Sequence, residues 1–316
     1  MKLQTNIPIK LEKNQIKYDS KLLLLGSCFV ENIGVKFNYY KFQSLSNPFG
    51  ILFHPKAIEK LILKAVNSEK FSEKDVFFLN ERWHCFDVHS DLSNSSKEEL
   101  LINLNNALEL TIKQLNKSTH IIITLGTAWV YRLLETNNFV ANCHKVAQKQ
   151  FSKELLSVEE INNSLESIIS GIRKVNKEAS IIFTVSPVRH LKDGFVENQL
   201  SKSHLITAIH EIVTSSAVEI YYFPSYELMM DELRDYRFYS EDLIHPNQTA
   251  INYIWERFKM TWIDENIFST MEEVETIQKG LSHKPFNPNS EQHQRFLETL
   301  SKKISYLQKA FPNMQF

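Results

Sequence analysis

The chain has 316 residues, 43% of them hydrophobic and 23% charged, with a formal net charge of -1. That size and balance suit one large globular domain able to bury a core of its own, and the near-neutral charge lacks the basic footprint of a nucleic-acid-binding protein. Cys28, Cys85 and Cys143 are too few and too scattered for a disulfide framework, and the N-terminus has no apolar signal region and no later run long enough to span a bilayer. The expectation is a cytoplasmic chain with no membrane span.

The first element is an apolar run at residues 22–25. It stops at Gly26-Ser27 and leads into a helical stripe of Phe29, Ile33, Phe37 and Tyr40. Short apolar runs bounded by turn residues recur at 121–125, 181–185 and 220–223 and read as buried strands. Helical patterns separate them. Leu100, Leu104, Leu108 and Leu115 form one stripe, and Ser157-Val158-Glu159-Glu160 is a capping box opening a helix lined by Ile161, Leu165, Ile168 and Ile172. Leu205, Ile209 and Ile212 line the next. Pro246 is placed as the first residue of another, lined by Ile251, Ile254, Trp255 and Phe258. Strands alternating with helices imply an α/β domain with a mostly parallel sheet covered on both faces, its sites gathered at the carboxyl ends of the strands. Gly26-Ser27, Gly126-Thr127, Ser186-Pro187 and the segment leading to His245 should therefore converge. Two stretches exceed a minimal sandwich: a hairpin within about 69–95 and a polar excursion over about 128–151. Both are expected to be lids, since long loops in compact domains are usually functional. The tail from about 262 to 316 continues with helical patterns and no linker, so a single domain over 1–316 is expected.

A serine hydroxyl becomes a nucleophile when a histidine, oriented by a carboxylate, takes its proton. Ser27 at a strand-to-helix turn is expected to expose its hydroxyl beside the amides of a helix N-terminus. Asp242 and His245 are three apart, so one turn can present both. Taken singly, Ser27 reads as a helix cap and Asp242-x-x-His245 as a surface turn; together, at matching ends of a parallel sheet, they read as a catalytic triad. Cys28 is expected to point away from Ser27 into the core as a small buried thiol. Cys143 beside His144 is a weaker nucleophile candidate, because residues adjacent in sequence seldom face each other. His84, Asp87, His89 and Asp91 include metal-ligand types, but a strand puts His84 on the opposite face from Asp87 and His89, so a solvated hairpin is the stronger reading and no metal is expected. Arg189 and His190, with His144 and Lys145, suggest a cationic rim for an anionic or heavily hydroxylated substrate.

These residues carry a resemblance. Gly26-Ser27-Cys28-Phe29-Val30 is similar to the signature of the GSCFA family, a bacterial group within the SGNH/GDSL-like hydrolase superfamily, with Val30 where alanine is usual. Asn47-Pro48-Phe49-Gly50, Leu125-Gly126-Thr127-Ala128-Trp129, Asn142-Cys143-His144-Lys145, Ser186-Pro187-Val188-Arg189-His190 and Asp242-x-x-His245-Pro246 extend it from about residue 20 to about 260. The resemblance implies a three-layer, flavodoxin-like α/β/α sandwich with Ser27 as nucleophile, His245 as base and Asp242 as its orienter. It also implies an oxyanion hole built from the serine amide, Gly50 and a third donor. The superfamily's asparagine is absent from Gly126-Thr127-Ala128-Trp129, leaving Thr127, Asn142 or Asn47 as alternatives. Trp129 joins the substrate-binding candidates. The activity implied is an ester hydrolase or acyltransferase acting on an acylated sugar, glycan or similar polar ester, with no cofactor. The alternative is a non-hydrolytic module using the same pocket for a carbohydrate or anionic ligand.

Overall fold

Leucines at successive positions of the first strand feed two different cores, and this alternation sets the architecture. The computed structural model describes residues 5–215 and 219–316. In chain order it forms β1 (Lys21–Gly26), α1 (Cys28–Tyr39), β2 (Gln43–Ser46), α2 (Pro55–Val66), β3 (Phe77–Leu79), β4 (Arg82–His84) and α3 (Lys97–Lys117). Then follow β5 (His120–Leu125), β6 (Trp129–Leu133), β7 (Asn138–Val140), β8 (Phe151–Leu155), α4 (Val158–Val175), β9 (Ser180–Val185), α5 (Phe195–Ser215) and β10 (Ile220–Phe223). A single turn, α6 (Ser225–Glu227), runs into a π-helical segment at Leu228–Glu232; α7 (Gln248–Trp262), α8 (Phe268–Ser282) and α9 (Glu291–Ala310) complete the chain.

The central sheet has the order β10-β9-β5-β1-β2 and all its pairings are parallel. Side chains alternate across a strand, so Leu22, Leu24, Ile122 and Ile182 pack with Phe29, Ile33 and Phe37 of α1 and Ile254, Trp255 and Phe258 of α7. Leu23, Leu25, Ile121, Ile123 and Phe183 pack on the other face with Ile58, Leu104, Leu165 and Leu205, drawn from α2, α3, α4 and α5. The result is the expected three-layer α/β/α sandwich. The tail thickens the α1–α7 layer: Met271, Val274 and Ile277 of α8 and Leu300 and Leu307 of α9 belong to the same cluster. The chain leaves β1 for β2 on one side and returns to β5 on the other, so the order reverses at the carboxyl ends of β1 and β5, where open α/β sheets place their ligands.

Three local expectations change. Pro246 does not open α7: Asn247 is the N-cap, its side chain accepting from the Ala250 amide, and the helix starts at Gln248. The excursion is not irregular: its residues form a second, antiparallel sheet of order β7-β6-β8 that continues to Leu155. β2, unread in the sequence, is a four-residue edge strand, Gln-Ser-Leu-Ser, half-buried throughout. The hairpin appears as β3–β4, reversed at Asn80 and Glu81, both at positive φ, as a two-residue turn of this hand requires.

Candidate active site

β1 ends at Gly26, whose φ of +135° and close approach to β5 admit no side chain: a Cβ there would lie 2.1 Å from the Thr124 carbonyl oxygen. The Gly26 amide donates to Asn47 Oδ1 at 2.8 Å, and Asn47 Nδ2 donates to Glu31 Oε1 at 2.6 Å. Asn47, an oxyanion candidate, thus ties the end of β1 to the first turn of α1.

Ser27 follows, and its position corrects the expected geometry. Its amide still donates to Thr124 O at 3.0 Å, so the chain keeps the strand's direction for one more residue. Its side chain is fully buried, 0% exposed, and its hydroxyl has no hydrogen-bond partner among the described residues. Ser27 is the N-cap of α1 by backbone conformation, but its side chain caps nothing. Cys28, expected inside, is the first helical residue and is only half-buried. Burial raises its thiol pKa; the nearby Lys202 ammonium and the amides of Cys28 and Phe29 draw it back down.

Lys202, on α5, is fully buried. Its Nζ donates to Gly126 O at 2.7 Å and to Ser186 O at 2.8 Å, joining the ends of β5 and β9. Burial lowers its pKa to about 7, opposed by Cys28. The next residue back, Ser201, supports the same edge: its hydroxyl accepts from the Ala128 amide at 2.7 Å and pairs with Thr127 Oγ1 at 3.0 Å. Thr127 is therefore engaged on both counts, its hydroxyl by Ser201 and the Trp129 amide and its own amide by Phe53 O. The Gly50 amide, with φ +72°, donates to Asn47 O at 2.8 Å. In this structure the amides of Ser27, Gly50 and Thr127 are thus all committed within the protein.

The histidine and aspartate come together as the spacing predicts. His245 Nδ1 lies 2.6 Å from Asp242 Oδ2, while Asp242 Oδ1 accepts from the amides of Ile244 and His245 at 2.9 and 3.0 Å. Those amides, that of His245 first, hold the Asp242 carboxyl down to about 2. The pair is open to solvent, the side chains 48% and 45% exposed. Arg189, expected to meet substrate, instead braces this loop: Nη2 donates to Leu243 O at 3.0 Å and the guanidinium lies 4.3 Å from the Tyr239 ring centre.

His190 is the group the sequence undervalues. Its amide donates to Asn198 Oδ1 at 2.8 Å. Its Nε2 is buried, has no partner among the described residues, and lies 3.0 Å from where a Cβ on Gly126 would sit. Burial, with the Lys202 and His245 charges, pushes it down to about 3, so the ring is neutral. The Lys202 charge acts on both Cys28 and His190, and the His245 charge acts on His190.

The remaining candidates lie on the added sheet and hairpin. Asn142, His144 and Lys145 line a cavity of about 660 Å³ together with Arg82, His84 and Asp91. Asn142 Oδ1 accepts from the His144 amide, and His144 Nε2 donates to Cys85 O at 2.7 Å; burial takes His144 down to about 4. His89, next in sequence to the cavity-lining Ser90, packs against Gly50. Trp129 donates from its indole to Glu197 O, with Lys153 over its ring at 4.7 Å. Among the described residues, no group of three or more histidine, cysteine or acidic side chains is arranged to hold a metal, and no helix is long and apolar enough to cross a membrane.

The fold is an α/β protein built on an open parallel sheet, with Asp242 bonded to His245 in the segment that follows its last strand. The chain belongs to the GSCFA family, whose pattern matches residues 21–258, and the GSCFA C-terminal domain matches residues 274–316. No curated protein matches it. Among solved structures it is similar to a family two carbohydrate esterase from Clostridium thermocellum in complex with cellohexaose, at 11% identity and TM-score 0.37, over 81% of this chain and 66% of that one. It is also similar to the acetyl xylan esterase Est2A from the rumen bacterium Butyrivibrio proteoclasticus, at 10% identity and TM-score 0.38, over 78% of this chain and 65% of that one. The chain spans just under two thirds of the length of each.

Proposed function

We propose that this protein transfers acyl groups by covalent catalysis, as an ester hydrolase or acyltransferase. The observation that carries the reading is the Asp242–His245 pair: a carboxylate fixed by two amides, bonded to Nδ1 and leaving Nε2 to act as base. The nucleophile comes from the β1–α1 turn. It attacks the acyl carbon; His245 takes the nucleophile's proton and returns it to the leaving alcohol. The developing oxyanion meets the amides of Cys28 and Phe29 at the start of α1, and His190, a neutral ring that donates from Nε2. Water or a second alcohol then takes the acyl group. An acylated sugar or similarly hydroxylated ester is the substrate class, supported by the polar cavity lined by Arg82, Asp91, Asn142 and Lys145.

The test is turnover of an acetyl-ester panel, including acetylated sugars, by the wild-type protein and by His245→Ala. We expect wild-type turnover and a loss of at least about 100-fold in kcat/KM in the variant, within the range that general-base catalysis contributes. The second reading, a non-hydrolytic binding module, is favoured by the committed amides of Ser27, Gly50 and Thr127. It predicts sugar or anion binding with no turnover of any ester and no effect of His245→Ala.

A further inference from the structure

We propose that the nucleophile of this site is the thiol of Cys28 and not the hydroxyl of Ser27. The inference rests on the acyl-transfer reading above and refines it by one residue. Three observations meet at Cys28. First, access: Ser27 is fully buried with its hydroxyl sealed, whereas Cys28 is half-buried at the first position of α1. An acyl carbon cannot reach an oxygen enclosed on every side. Second, the amides: those of Cys28 and Phe29, at the start of α1, lower the Cys28 thiol against its burial, whereas the Ser27 amide is spent on Thr124 O. A nucleophile needs unspent donors beside it to receive the oxyanion. Third, the charges: burial leaves the Cys28 thiol raised on balance, and the buried Lys202 on α5 is the cation that offsets part of this, with Glu31 on α1 acting with burial. Reactive thiols occur where a helix N-terminus and a cation coincide in a partly open site.

The chemistry balances without any co-reactant. The Cys28 S–H gives its proton to His245 Nε2, and the sulfur electron pair forms an S–C bond to the acyl carbon. The C–O bond to the alcohol breaks, and the alcohol leaves with the proton from His245. The thioester is then attacked by water or an acceptor hydroxyl, whose proton passes to His245. The S–C bond breaks, and sulfur recovers its proton.

The protein carries its own reference thiol. Cys143 is also half-buried, but burial alone acts on it, raising it to about 11. The experiment therefore treats the full chain with limiting iodoacetamide and follows each cysteine by peptide mass, in the wild type and in His245→Ala. It also measures acetyl-ester turnover of Cys28→Ala and Ser27→Ala. We expect Cys28 to alkylate at least about tenfold faster than Cys143, and its rate to fall in His245→Ala. We expect Cys28→Ala to lose turnover by at least about 100-fold, while Ser27→Ala, which removes a buried unpartnered hydroxyl, folds and keeps it within about threefold. Turnover lost in Ser27→Ala and retained in Cys28→Ala would overturn the proposal and leave the acyl-transfer reading standing. Should no ester be turned over, the acyl-transfer reading fails. The alkylation rates then decide for Cys28: a His245-dependent excess over Cys143 supports an activated thiol, and equal rates overturn it.

Discussion

Asp242 accepts from two amides and one imidazole, all within the next three residues. That locality made the pair legible: a carboxylate and a histidine three apart need only one turn to meet. Arg189 was not legible, because its partner is a backbone carbonyl 54 residues away and nothing in its own segment distinguishes a brace from a substrate cation. The brace matters because Leu243, between Asp242 and His245, sits at φ +57°, a region costly for a branched side chain. Removing the guanidinium takes away a charge-assisted hydrogen bond and a stacked contact, of order 1.5–3 kcal/mol together. If part of that is felt as misorientation of His245, Arg189→Ala should lower kcat about tenfold with little change in KM. Arg189→Lys should recover little, since an ammonium reproduces neither the fork nor the stacking. Steady-state kinetics on an anionic and a neutral ester check this; a rise in KM confined to the anionic ester would return Arg189 to the role of substrate cation.

The β1–α1 turn shows where reading by element runs out. The strand was legible as an apolar run and the helix as a stripe, but the phase of their junction was not. Whether Ser27 or Cys28 faces outward depends on one hydrogen bond, from the Ser27 amide to Thr124 O, which extends the strand by a residue and delays the helix by a residue. β2 and α2 escaped for related reasons. β2 is a short polar edge strand, and α2 is capped by a histidine, His54, whose Nδ1 accepts from the Ala57 amide, outside the usual capping residues. The glycine at the junction was legible and has a strong consequence. At Gly26 both the backbone angle and the contact with Thr124 exclude a side chain, and the contact is to backbone, which cannot rotate away. Gly26→Ala should cost at least about 3 kcal/mol, combining conformational strain with displacement of β5. Urea denaturation measures it; a loss below about 1 kcal/mol would mean that the two strands separate easily at this end.

At the scale of the whole molecule, the order of apolar runs and amphipathic stripes was enough to read a covered parallel sheet, because both depend on burial alone. Buried polar groups depend on partners distant in sequence and had to be seen. Three of them tie the fold to pH. His54, His144 and His190 are held neutral by burial, at about 4, about 4 and about 3, against about 6.5 in an unfolded chain. Between roughly pH 6.5 and 4 the unfolded chain therefore binds up to three more protons at these sites than the folded one. Stability rises with pH wherever the unfolded state holds the excess, so here it must fall as the solution is acidified through that window. Each histidine contributes a slope of up to about 1.4 kcal/mol per pH unit. Asp242, at about 2, stays ionised across the same range, so the orientation of His245 should outlast the loss of stability. His54 isolates the effect. It is fully enclosed, and Nε2 donates to Val140 O at 3.0 Å. His54→Asn keeps a capping side chain on α2 and removes the titrating ring. Urea midpoints at pH 7, 6 and 5 should drop steeply in the wild type and less steeply in His54→Asn, by about one proton's worth of slope. Parallel slopes in the two proteins would mean that His54 takes up its proton without unfolding the site around it.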